Sequence, residues 1–130
     1  MIVVDTHALI WWVAGGPLSK LAAETLEHNS ASHHVFASSI TAWEISMLVE
    51  KGRLELTIDV VEWIKQVEAL PGLRFIPVDN NIAVASTRLP EPFHPDPADR
   101  IIVATSRSLD APLVTRDERL IDYPYVETVW

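Results

Sequence analysis

Cysteine is missing from this chain of 130 residues, glycine occurs only 4 times, and no apolar run approaches the length of a membrane span. The first absence excludes disulfides and thiolate metal sites, and is in keeping with a reducing compartment. Histidine and carboxylate remain as the available metal ligands. A bilayer helix needs roughly 18 or more consecutive apolar residues, whereas Ile2, Val3 and Val4 run directly into Asp5 instead of opening a basic leader. An unprocessed cytoplasmic chain with no membrane partner is the expectation. Positive charge is the third shortage: 10 Lys and Arg face 18 Asp and Glu, for a net charge of −8 and a pI near 4.9. Nucleic-acid binders tend to carry basic surfaces, so this balance argues against a polyanionic substrate. The objection weakens if the excess negative charge is concentrated at a site for divalent cations, or if a basic partner covers part of the surface.

Apolar residues are what the chain has in quantity, at 48% with a mean hydropathy of +0.16. That suffices for one ordinary domain over residues 1–130. Ile2 to Val4 read as a strand ending at Asp5, followed by a helix carrying Ala8, Leu9, Trp11, Trp12 and Val13 up to Gly15 and Gly16. Ser19 caps a second helix to about Glu27 with a stripe of Leu21, Ala22, Thr25 and Leu26, and Asn29 to His34 read as a polar loop. Val35 to Ser38 form the next strand; a helix opens at Thr41-Ala42-Trp43-Glu44, runs to Lys51 and closes at Gly52. Thr57 or Asp59 caps a further helix with Val60, Val61, Ile64 and Val67 on one face.

Arg74 to Val78 make a third strand, and Asp79 caps a helix from Asn80 to Arg88. Pro90, Pro92, Pro95 and Pro97 then impose an extended loop containing His94. Asp96 as N-cap, with Pro97 at the first helical position, starts a helix that ends near Leu109. Leu113 to Thr115 and Tyr125 to Val129 supply the last strands. Strands and helices alternate throughout, which predicts an α/β fold with right-handed crossovers and a central, mostly parallel sheet flanked by helices.

Asp5, Glu44, Asp99 and Asp117 each fall where a predicted strand ends or a predicted helix begins. In a parallel sheet those positions share one edge, the edge at which such folds bind ligands. Each acid taken alone has a simpler reading, because carboxylates at helix N-termini cap free amides and interact favourably with the helix dipole. Thr41-x-x-Glu44 matches a capping box, and Asp99 stands in a similar relation to Asp96. Asp5 and Asp117 fit that reading less well, since both follow apolar strands and both have threonine nearby, Thr6 and Thr115. Several carboxylates in one cleft repel by about 1 to 4 kcal/mol per pair at surface-like dielectrics. Protonation or a cation relieves this, and oxygen ligands favour Mg²⁺ or Mn²⁺ over zinc. A metal-activated water attacking a phosphodiester is the chemistry that follows.

Four segments in order, Ile2-Val3-Val4-Asp5-Thr6-His7, Ser39-x-x-x-Trp43-Glu44-Ile45, Asp96-Pro97-Ala98-Asp99-Arg100 and Val114-Thr115-Arg116-Asp117, resemble a PIN-domain ribonuclease of the VapC toxin type. The resemblance covers almost the whole chain and implies a PIN-like fold. It also implies a Mg²⁺- or Mn²⁺-dependent endoribonuclease, toxicity through RNA cleavage, inhibition by a cognate VapB-like antitoxin, and a homodimer. Carried over, Asp5, Glu44, Asp99 and Asp117 are the metal-binding and catalytic acids, with Thr115 as the polar residue beside the fourth. Asp5, Asp99 and Asp117 then hold the metal while Glu44 completes the shell or orients the attacking water. Relatives of this pattern carry a basic residue one turn after the helix glutamate, where this chain has Leu48. Asp96 competes with Asp99 for the third acidic position.

Arg100 and Arg116 flank two of these acids, and either grip RNA phosphate or form ordinary ion pairs. His7 and His94 read more simply as hydrogen-bonded structural groups than as metal or phosphate ligands. The 5 tryptophans are many for a chain this size, and Trp11 and Trp12 cannot both face one core. Two other functions fit the same residues: a housekeeping nuclease or phosphohydrolase outside toxin biology, and a non-catalytic binding module presenting a tryptophan surface.

Overall fold

The computed structural model describes all 130 residues. Five short strands, β1 (Ile2–Val4), β2 (Val35–Ser38), β3 (Leu73–Ile76), β4 (Leu113–Val114) and β5 (Thr128–Val129), form one sheet in the order β3-β2-β1-β4-β5. Every neighbouring pair is parallel. Seven helices surround it: α1 (Thr6–Ala14), α2 (Lys20–Ala31), α3 (Ile40–Glu50), α4 (Val60–Glu68), α5 (Asn80–Thr87), α6 (Pro97–Ser108) and α7 (Glu118–Ile121). None is long and apolar enough to cross a membrane.

Strand alternation explains how the sheet is covered on both faces, as a parallel sheet requires. Ile2, Val4, Val35, Ala37 and Val114 point into one core with Leu9, Leu26, Ile45 and Val67 of the helices. Val3, Phe36 and Leu113 point into a second core with Ile82, Ile102, Val103 and Leu120. Full burial of such a side chain is worth about 1.5 to 3 kcal/mol, so each three- or four-residue strand is held by its two-sided packing more than by its length.

Some boundaries depart from the sequence expectation. Helix α2 continues through Asn29, Ser30 and Ala31, residues expected in a loop, because Asn29 donates to Thr25 O at 2.8 Å and so stays within the helix. On α4 the buried residues are Trp63 and Val67, while Val61 is 55% exposed. The third and fifth strands are shorter than expected, and α7 was not anticipated at all. Other signals hold: Ser19, Asp59, Asp79 and Asp96 cap their helices, and Gly52 adopts φ +69° just beyond α3.

Candidate active site

Strand order reverses direction between β1 and β4, so the crevice beyond their C-terminal ends is the natural ligand position in this topology. Asp5 leaves the end of β1 and is 8% exposed; Asp117 follows β4 by two residues beyond the fully buried Thr115. Helices α3 and α6 bring their N-terminal ends to the same edge, with Asp99 in the first turn of α6 and Glu44 one turn into α3.

The capping assignment reverses. Asp5 and Asp117, which seemed the less natural caps, accept from the Ala8 and Arg119 backbone amides, both at 2.9 Å. Glu44 and Asp99, which matched capping patterns, cap nothing. Ser39 occupies the N-cap of α3 without a side-chain bond; Glu44 instead accepts from the Thr6 hydroxyl at 2.6 Å, and Thr6 meets Thr41 at 3.1 Å. Asp96 caps α6 alone, taking the Ala98 and Asp99 amides at 2.9 and 3.2 Å. The Asp99 carboxylate faces His94 Nε2 at 2.7 Å and Arg119 Nη2 at 3.4 Å. On α6 the preceding Asp96 supplies the cap and frees Asp99 to face the cleft, whereas on α3 the Thr6 hydroxyl draws Glu44 away from the helix end.

Charge in this crevice is held under strain. Burial pushes the Asp5 carboxyl above its ordinary range, with the Thr115 hydroxyl and the Ala8 amide opposing and the Asp99 charge adding to the rise. Glu44 is likewise raised by burial, against the Thr6 hydrogen bond and with Asp99 and Asp96 adding. Asp99 is raised by burial, against the His94 hydrogen bond and with Asp96 and Asp117 adding. Asp117 alone is lowered, first by its hydrogen bond from Arg119. The four acids thus feel one another, but no three Asp, Glu or His groups are closed around a point in the manner of a metal cage. Each carboxylate takes a donor of its own, Ala8 N for Asp5, Thr6 for Glu44, His94 for Asp99 and Arg119 for Asp117, and Arg119 also reaches Asp99.

A family model described as PIN domain matches residues 2–124. The chain belongs to the PIN domain family. It is 33% identical to Ribonuclease VapC22 of Mycobacterium tuberculosis over 132 aligned positions, covering 99% of this chain and 98% of that protein. Solved structures with the same fold include VapBC2 from Rickettsia felis bound to a promoter DNA fragment, at TM-score 0.73 and 16% identity over 99% of this chain and 98% of that one. FitAcB from Neisseria gonorrhoeae superposes with TM-score 0.71 at 21% identity, over 100% and 97% of the two chains. A toxin-antitoxin complex from Klebsiella pneumoniae gives 0.67 at 22%, over 100% and 97%.

Within this PIN domain the arginines are distributed otherwise than the sequence suggested. Arg100 is committed to the proline-rich loop: its guanidinium donates to His94 O at 3.0 Å, Phe93 O at 2.9 Å, Ser86 O at 3.4 Å and Glu91 at 3.1 Å. Four of its five N–H groups are taken by these contacts, which correspond to the ion-pair reading of Arg100. Arg116 stays available, over the Trp11 ring at 6.0 Å, in a recess of about 350 Å³ lined by His7, Trp11, Arg116 and Asp117. On the other side of the acids, Ile40, Trp43, Met47 and Pro97 line a mainly apolar groove of about 290 Å³ that includes Glu44. Arg119 is one of four arginines, with Arg100, Arg107 and Arg116, whose closeness in the sequence suggests a phosphate-binding rim; its bonds to Asp99 and Asp117 were not foreseen. His94 is hydrogen-bonded, as expected, with Asp99 as its partner, whereas Thr41, expected in a capping box, instead meets the Thr6 hydroxyl that holds Glu44.

Proposed function

We propose that this PIN domain is a toxin endoribonuclease that hydrolyses RNA phosphodiester bonds with a divalent cation, Mg²⁺ or Mn²⁺, and is held inactive by a cognate VapB-like antitoxin. The observation that carries the reading is a crevice lined by the buried Asp5 and the half-buried Glu44, Asp99 and Asp117 in a chain related along 99% of its length to a named ribonuclease. The toxin and antitoxin assignment is supported by relatives solved as such complexes. Cytoplasmic location and a homodimer complete the proposal.

The donor set fits a hard cation in type and charge. The four acids offer oxygen ligands, and Asp5, Glu44 and Asp99 are raised first by burial and further by neighbouring carboxylates, a penalty on their charge that a cation would offset. Asp5, Asp99 and Asp117 would hold the ion, which would supply an acidified water and stabilise negative charge on the phosphoryl and leaving oxygens. Glu44, with one oxygen fixed by Thr6, orients the attacking water through the other. Thr115 accepts from the Asp117 amide at 3.1 Å and so keeps the fourth acid turned to the crevice. Arg116 meets phosphate at the rim. Water oxygen bonds to phosphorus as the bond to the 3′ oxygen breaks, leaving a 5′-phosphate and a 3′-hydroxyl. A purely non-catalytic module does not require Asp5, Glu44 and Asp99 in one crevice, where burial and mutual repulsion disfavour their charge.

Purified protein, freed of antitoxin, should cut a mixed pool of transfer and ribosomal RNA at discrete positions with Mg²⁺ or Mn²⁺. EDTA, Asp5→Asn and Asp99→Asn should each abolish the cuts. Products ending in 2′,3′-cyclic phosphate, or cleavage that survives EDTA, would sink the mechanism.

A further inference from the structure

Arg119 stands between two of the acids assigned to the cation. Its Nη2 donates to Asp117 at 2.8 Å and to Asp99 at 3.4 Å, and its Nε donates to Asp117 at 3.2 Å. One guanidinium therefore bridges carboxylates from α6 and from the start of α7, groups that repel each other in its absence. The side chain is nevertheless 60% exposed, so it can leave without any repacking of the core. Arg100 on the neighbouring helix makes the contrast, since its side chain is only 16% exposed and locked onto loop carbonyls.

We propose that Arg119 is the built-in counter-ion of the cation site. A divalent cation and the guanidinium compete for Asp99 and Asp117, and arrival of the cation releases Arg119 to an RNA phosphate oxygen at the crevice mouth. The proposal rests on the reading that these acids hold a cation. The same planar fork that now spans carboxylate oxygens matches phosphate oxygens. A dication at the two acids would also repel the guanidinium from its present position. Arg119 then acts twice, as a barrier to metal entry and, once displaced, as a substrate contact.

Mn²⁺ binding, followed by the electron paramagnetic resonance signal of the free ion, tests the first half without reference to activity. Arg119→Gln should bind Mn²⁺ about tenfold more tightly than the wild type, as expected when one opposing charge is removed. Asp99→Asn should lose binding. Unchanged or weaker affinity in Arg119→Gln, with the Asp99→Asn loss intact, overturns the counter-ion role and leaves the cation site standing. Absence of Mn²⁺ binding by both wild type and Arg119→Gln overturns the two together. At saturating Mn²⁺, Arg119→Gln should raise KM for RNA about tenfold, with partial recovery in Arg119→Lys. An unchanged KM overturns the phosphate contact.

Discussion

The Asp5 carboxylate caps α1 through Ala8 and also faces the crevice, so its two substitutions separate the roles. Asp5→Ala removes the cap at a cost of about 1 kcal/mol, whereas asparagine retains it. In EDTA at neutral pH, Asp5→Asn should unfold in urea no earlier than wild type, because a buried charge is relieved, and Asp5→Ala should unfold before Asp5→Asn. Both should be inactive. An Asp5→Asn protein less stable than Asp5→Ala would show that capping is not what the side chain contributes. The pH dependence has a definite sign. Asp5, Glu44 and Asp99 carry raised carboxyl groups in the fold, so between their unfolded and folded values the folded chain holds more protons. Metal-free stability contributed by these groups is fully present below the unfolded values and falls as pH rises through the folded ones. Asp117 runs the other way: its stabilisation is present above the unfolded value and is lost as pH falls through its lowered one. Urea midpoints in EDTA from about pH 4 to about pH 8 should therefore fall more with rising pH in wild type than in Asp99→Asn. Parallel profiles would refute the raised Asp99.

Two structural elements set the geometry around these acids, the proline-rich loop and the junction of α1 with α3. Arg100 ties residues of the loop to α6, so Arg100→Gln should destabilise the fold by about 1 to 3 kcal/mol, the range for lost hydrogen bonds from a charged group. RNA affinity at saturating metal should hold, which separates this structural arginine from Arg116. For Arg116→Gln the expectation is the reverse, with stability kept and KM for RNA raised. At the junction, Thr6→Val preserves shape but deletes the hydroxyl on Glu44. If Glu44 acts on the attacking water, as proposed, kcat should fall at least tenfold with KM little changed. A larger effect on KM than on kcat would move Glu44 to substrate binding.

At the scale of the whole molecule, the net charge of −8 adds to the negative potential of the crevice and favours a cation over an anion there. Any ligand that binds only the folded state stabilises it by mass action, by about 2.7 kcal/mol at a hundredfold excess over Kd. Mg²⁺ should thus raise the melting temperature of wild type by several degrees and leave Asp99→Asn unmoved. Equal shifts in both would mean that Mg²⁺ acts elsewhere on the acidic surface.

Much of this molecule is legible without its coordinates. Apolar triplets such as Ile2 to Val4, caps such as Ser19, Asp79 and Asp96, and the proline run mark elements through local sterics and amide pairing, which act over a few residues. Alternation of those elements implies a parallel sheet, and a parallel sheet places the four acids on one edge. What each acid touches was decided only in three dimensions. Glu44 meets Thr6 across 38 residues and Arg119 meets Asp99 across 20. Such pairs depend on strand order and helix packing, so no local pattern could show that Asp5 caps a helix while Glu44 does not. Nor could it show that Arg100 is bound to the loop while Arg119 spans the acids. Short-range chemistry writes the elements, and long-range packing chooses the partners of their charges.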